Sequence, residues 1–219
     1  MNKKLLAALI VIVLAICGIG AYALFHKNND TTSMTGMDMS PNTTKTASLV
    51  QKNSAVYKQY DALTGAAYDK TFLANMIVHH QGAVAMAQLA LTNAKHQELK
   101  DMANSIISAQ SGEISEMQQW QQDWGYPSSS GDDMQDHSAM GMMNDMAGME
   151  DDLKGETGDA FDKAFLSQMI MHHQSAINMA APGETNAQHQ QVKDLTPAIV
   201  TAQSSEIKQM QQWQKDWNY

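Results

Sequence analysis

Phe72-Leu73-Ala74-Asn75-Met76-Ile77-Val78-His79-His80-Gln81 returns 93 residues later as Phe165-Leu166-Ser167-Gln168-Met169-Ile170-Met171-His172-His173-Gln174. The offset holds without a gap to the closing aromatics, where Trp120, Trp124 and Tyr126 map onto Trp213, Trp217 and Tyr219. The chain is a tandem duplication, and each copy carries a His-His pair flanked by methionines. A period this long is not that of a solenoid repeat; it suits two helical hairpins sharing one core.

The quoted stretch lies in a helix with two adjacent apolar seams. Phe72, Met76, His79, Ala83 and Met86 step by 4, 3, 4 and 3 residues, and Leu73, Ile77, His80, Val84, Ala87 and Leu91 follow one position on. Two neighbouring seams make the wide buried face of a bundle helix, with both histidines on it. Thr92 to Lys95 breaks the pattern. A second helix then runs from about His96 to Trp124, its seam reading Leu99, Ala103, Ile106, Gln110, Glu113, Met117, Trp120 and Trp124. The short connection makes the two helices antiparallel neighbours. That pairing brings Gln110 beside the histidines and Glu113 within about a turn, with Met76, Met86 and Met117 bordering them. Asp162 to Trp217 repeats the scheme with Met169, His172, His173, Met179, Gln203, Glu206 and Met210.

An apolar seam interrupted by imidazole, amide and carboxylate needs an explanation, because each buried unsatisfied group costs about 1–3 kcal/mol. Either a His, Glu and Gln network fixes the bundle register, or the layer holds a metal ion. Its appearance in both halves with sulfur close by favours metal. His96 and its counterpart His189 lie roughly 24 Å along the helix, at about 1.5 Å per residue, so a loop or capping role suits them better than a place in that layer. Pro182-Gly183 should end the first helix of the second copy early, and Pro197 should kink the second helix or delay its start.

Eighteen methionines against four phenylalanines is an unusual balance in a chain of 219 residues. Thioethers fill cores, but they are also soft metal ligands. A net charge of −9 argues against nucleic acid and favours cations. The single cysteine, Cys17, sits in the N-terminal apolar run, so no thiolate cluster can form within the chain.

Lys3 and Lys4 precede the apolar run Leu5 to Phe25, which has the form of an export signal and is also long enough to span a bilayer. Export to the periplasm or the outer face of the membrane is expected. Cleavage after Ala23, retention as an anchor and lipidation at Cys17 remain alternatives. The expected division is residues 1–25 as signal or anchor, 26–46 as a polar tether, 47–126 as the first repeat with a leading helix over Ala47 to Leu63, 127–158 as a linker and 159–219 as the second repeat.

Met34, Met37 and Met39 cluster in the tether. Met134, His137, Met140, Met142, Met143, Met146 and Met149 stand among aspartates and glycines in the linker. Solvated methionines gain nothing from burial, so the linker reads as a flexible capture arm for Cu(I) or Ag(I), with a partner-binding surface as the alternative.

Phe-Leu-x-x-Met-Ile-x-His-His-x-x-Ala-x-x-Met-Ala followed by Gln-x-x-Glu-Ile-x-x-Met-x-x-Trp, present twice, resembles the exported helical family catalogued as domain of unknown function 305. The resemblance covers about Asp69 to Trp124 and Asp162 to Trp217. It implies a ferritin-like four-helix core and copper binding through Met and His outside the cytoplasm, for tolerance or transfer. Carried over, it points to Met76, His79, His80, Met86 and Met117, and to Met169, His172, His173, Met179 and Met210. The Pro182-Gly183 break and Pro197 depart from its pattern in the second half, and the linker methionines fall outside it.

The expectation is thus an all-α, copper-binding envelope protein, with Cu(I) as the cofactor and a copper exporter or another envelope copper protein as its partner. Gln110, Glu113, Gln203, Glu206, His96 and His189 are candidates for further ligands or supports. A ferritin-like oxidase is the enzymatic rival, weakened because Glu113 and Glu206 are followed at the third residue by Glu116 and Gln209 where a histidine would be needed. A purely structural or partner-binding envelope protein is the third reading.

Overall fold

The structure, a computed structural model, describes residues 49–127, 144 and 146–219. The export segment, the tether with Met34, Met37 and Met39, and the linker residues Met134, His137, Met140, Met142 and Met143 lie outside them. The described residues form helices α1 (Ala55–Asp61), α2 (Ala66–Asn93), α3 (Gln97–Trp124), α4 (Gly158–Ala180), α5 (Gly183–Asn186) and α6 (Gln190–Asp216). No strand occurs among them; Gly65 with Ala187 and Ala94 with Gly158 form two isolated bridges.

Helices α2 and α3 make one hairpin, and α4 and α6 the other. The hairpins meet through α2 against α4, so the two double-seamed helices form the centre of a four-helix bundle. Both long second helices stop at a left-handed residue, Gly125 at φ 65° and Asn218 at φ 59°. In each case the next amide closes back five residues, Tyr126 N–H to the Gln121 carbonyl at 2.8 Å and Tyr219 N–H to the Gln214 carbonyl at 2.9 Å.

The early end of α4 is as expected, and its repair could not be read from the break itself. The helical ladder stops past Met179 and Ala180, and Pro182 contributes no N–H. Tyr68, buried on α2, donates its hydroxyl to the Met179 carbonyl at 3.0 Å and lies 3.4 Å from that of Ala180. The residue equivalent to Tyr68 in the second repeat is Phe161, which faces the unbroken α2. Gly183 completes the repair by leaving room: a Cβ there would stand 2.4 Å from Thr196 Cγ2 and 2.6 Å from the Tyr68 hydroxyl. Tyr68→Phe should therefore cost about 1–3 kcal/mol in urea denaturation, since it strips buried carbonyls of their donor. A loss near zero would show that solvent already serves them.

Two expectations need correction. Pro197 does not delay α6, which begins at Gln190, the register equivalent of Gln97 in α3. The start is fixed by a capping carboxylate from the other repeat, described below. The leading helix is also shorter than expected. Ser54 caps it, its Oγ accepting from Tyr57 N–H at 3.1 Å, and the preceding residues are a turn, closed by Ser54 N–H to the Gln51 carbonyl at 2.9 Å, and a short irregular stretch tied to α4. There the Gln174 side chain donates to the Leu49 carbonyl at 2.7 Å, and Gln51 N–H donates to Asn178 Oδ1 at 2.8 Å.

The end of the linker is not a solvated arm. Residues 146–151 are helical, Met146 is 8% exposed, Leu153 is fully buried and Met149 packs against the core. Met146 lies so close over Gly82 that an added Cβ would be 3.0 Å from its side chain. The register explains this. Leu153 and Thr157-Gly158 are the equivalents of Tyr60 and Thr64-Gly65, so the segment repeats the leading helix. Met146 and Met149 therefore belong to packing.

Candidate metal centre

At mid-height of α2 and α4 the four paired histidines, His79, His80, His172 and His173, are each fully buried. They are buried because both seams of each helix face inward, one towards the hairpin partner and one towards the other hairpin. His79 and His172 meet across the join between repeats, their ring centroids 3.6 Å apart and tilted by 38°. His80 and His173 turn the other way, to their own hairpin partners. His80 Nε2 lies 2.6 Å from Glu113 Oε2, and His173 Nε2 lies 2.6 Å from Glu206 Oε2. The paired rings are thus neither all tied off nor all directed at one point.

The hydrogen-bond account of this layer does not close. His172 Nε2–H donates to the His79 carbonyl at 2.9 Å. A carbonyl only accepts, so the proton sits on Nε2 and the lone pair of the neutral ring on Nδ1. That Nδ1 has no partner. Neither nitrogen of His79 has one, nor do Nδ1 of His80, Nδ1 of His173, or the Oε1 atoms of Gln110 and Gln203, all buried.

His79 and His172 are held well below the ordinary imidazole value of 6.5. For His79 the first cause is burial, followed by the neighbouring imidazoles of His172, His80 and His173. For His172 it is burial, then His173; its bond to the His79 backbone pulls the other way and His80 adds to the lowering. Both rings are neutral donors at neutral pH.

These shifts set an acid dependence. The unfolded chain takes up protons near pH 6.5 that the folded layer refuses, so stability is fully present above that pH and falls as pH drops below it. Each ring contributes about 1.4 kcal/mol per pH unit. Urea midpoints of the metal-free protein at pH 7.5 and 5.5, compared with those of a His79→Leu/His172→Leu variant to remove the carboxylate background, should show the steeper fall in the wild type. Equal slopes would contradict it.

The methionines divide in a way that hairpin geometry alone did not suggest. Met76 and Met117 of the first repeat share one apolar cluster with Met179 of the second. Met86 of the first repeat shares the other with Met169 and Met210. All six are fully buried. Each set is the register equivalent of the other, and each draws on both repeats. Among the described residues no group of three or more His, Cys, Asp or Glu side chains could hold a metal ion. The donors on offer are neutral imidazole and thioether, a set suited to a soft ion and a poor cage for a hard divalent one.

His96 and His189 stand outside this layer, as their spacing required. They occupy the N-cap positions of α3 and α6 without capping their own helices. The capping groups are Asp162 and Asp69, two fully buried carboxylates that sequence reasoning missed. Asp69 accepts from Gln188 N–H and His189 N–H at 3.0 Å and lies 2.6 Å from His189 Nδ1. Asp162 does the same for Lys95 N–H at 2.9 Å, His96 N–H at 3.1 Å and His96 Nδ1 at 2.6 Å. Each imidazole then stacks on a tryptophan of its partner repeat, His96 on Trp217 at 3.8 Å and His189 on Trp124 at 3.7 Å, both within 4° of parallel. The signal in the sequence was the joint recurrence of Asp and His at one offset, Asp69 with Asp162 and His96 with His189.

The family model described as "Domain of unknown function (DUF305)" matches residues 24–120 and 69–214. Among solved structures, CopM in its Cu(I)-bound form is 38% identical at a TM-score of 0.56, over 68% of this chain and 96% of that one. CopM has also been solved in Cu(II)-bound, Ag-bound and apo forms. A DUF305 fragment from Deinococcus radiodurans is 27% identical at a TM-score of 0.52, over 65% of this chain and 92% of that one. A comparison with curated proteins finds no match.

Proposed function

The chain belongs to the DUF305 family, and we propose that it is an exported protein that sequesters or hands on copper as Cu(I), with Ag(I) as a chemical equivalent. The observation that carries this reading is the fully buried histidine layer in which five of the eight ring nitrogens lack partners. A fold that needed these rings only for register would satisfy their nitrogens. Support comes from CopM, a relative with copper-bound and silver-bound forms over the same helical core.

The proposed ligands are His79, His80, His172 and His173 together with the two thioether sets, Met76, Met117 and Met179 on one side and Met86, Met169 and Met210 on the other. Bound there, copper would be held by neutral groups in a water-excluded layer that this chain's packing shapes. Gln110 and Gln203, with free buried carbonyl oxygens, supply polar lining. Met134, His137, Met140, Met142 and Met143, with Met34, Met37 and Met39, are proposed to collect the ion outside the bundle. The N-terminal run 1–25 is proposed to direct export to the periplasm or the outer membrane face, where an exporter or another copper protein would be the exchange partner. Among the described residues no helix is long and apolar enough to cross a membrane.

The test is a Cu(I) titration of the full chain under a competing chelator without oxygen. The expected result is retention against the chelator by a metal-free protein that keeps its helical signal throughout. Binding no tighter than that of an acidic surface would end the proposal.

A further inference from the structure

Glu113 and Glu206 are the register equivalents of each other, one on each outer helix of the bundle. Each has its side chain 25% exposed while its Oε2 meets a fully buried imidazole at 2.6 Å. A carboxylate accepts and does not donate, so the hydrogen it holds is the one on Nε2 of the ring. In the neutral ring the lone pair is then on Nδ1. On His80 and His173 that atom is buried and without a partner. His172 reaches the same state by another route, its Nε2–H being held by the His79 carbonyl. In their neutral form three of the four rings therefore present a bare Nδ1 to the interior, and a pair that served register alone would have no reason to leave that atom unsatisfied.

We propose that Glu113 and Glu206 are positioning residues: they fix His80 and His173 as the Nε2–H tautomer, so that Nδ1 is the donor atom offered to the buried layer. This rests on the reading of that layer as a soft-ion site, and it removes the two carboxylates from the ligand set. The pairing follows the general pattern in which a carboxylate on one ring nitrogen sets the orientation and basicity of the other.

Long-range ring ¹H–¹⁵N spectra of the ¹⁵N-labelled, metal-free full chain read the tautomers directly. His80 and His173 should show the Nε2–H pattern. Glu113→Ala with Glu206→Ala should turn both into tautomer mixtures and lower Cu(I) affinity by about 10–100-fold per site. Glu113→Gln with Glu206→Gln, whose amide oxygen still accepts and whose shape guards the fold, should keep the tautomer and most of the affinity. An Nδ1–H pattern in the wild type overturns the proposal, as does an unchanged pattern in a folded alanine variant. Glutamine variants that lose as much affinity as alanine variants would also overturn it, by making the carboxylates ligands. A wild type that binds no Cu(I) defeats the functional reading, while the spectra still decide the tautomer claim.

Discussion

Replacing His79 and His172 together with leucine is expected to lower Cu(I) affinity on the order of a hundredfold or more, equivalent to roughly 2.7 kcal/mol, without lowering metal-free stability. The two effects have one cause. Between them the rings bury three nitrogens with no partner, and each such group opposes folding by about 1–3 kcal/mol. Leucine removes that cost and fills a similar space. The stability of the metal-free variant should therefore match or exceed the wild type's by about 1–3 kcal/mol, and the excess should grow below pH 6.5, where the wild-type rings resist protonation. A variant that loses stability by a similar amount and still retains copper would mean that the two facing rings are a core element and nothing more.

Asp69→Ala is expected to destabilise the bundle by about 3–5 kcal/mol, and Asp162→Ala by the same amount, because each removes a fully buried carboxylate with three hydrogen-bonding partners. The equality is the more discriminating part. The two residues occupy equivalent places, each capping the second helix of the opposite hairpin and holding a histidine against a tryptophan. Because both connections run between repeats, their loss should separate the hairpins as well as fray two helix starts. The double variant should lose most of the roughly 5–15 kcal/mol that holds a domain of ordinary stability. Urea denaturation followed by helical signal measures it. A cost below about 1 kcal/mol for either single change would show that the carboxylates are ordinary exposed-type caps.

The bundle was legible because its signals are periodic and doubled. Two seams one residue apart, repeated at an offset of 93, leave little freedom in how α2 and α4 are buried. The partners across the seams were less legible. Folding α2 back on α3 places Glu113 about a turn from His80, and the long carboxylate side chain closes that distance. The same reasoning assigned Met86 to its own hairpin, whereas the α2 and α4 join sets it among Met169 and Met210 of the second repeat. A pattern within one helix pair carries no information on the angle at which a second pair meets it.

Asp69 and Asp162 escaped notice for a related reason. Near a helix start an acidic residue reads as an exposed dipole partner, and only the other repeat's loop buries it. The leading element of the second repeat was hidden by composition. The aspartates, glycines and methionines around Met146 resemble a solvated linker, although Leu153 and Thr157-Gly158 already mark the register of Tyr60 and Thr64-Gly65. Tyr68 shows the opposite case. The break at Pro182 was read from the sequence, yet its donor lies 111 residues from the Met179 carbonyl that it serves.

Copper K-edge absorption of the full chain loaded with Cu(I) tests most directly whether the buried layer grips a soft ion. Scattering from both imidazole nitrogen and thioether sulfur is predicted, with the nitrogen part reduced in the His79→Leu/His172→Leu variant, which keeps His80 and His173. A first shell of oxygen alone, or one that is the same in wild type and variant, would contradict the account.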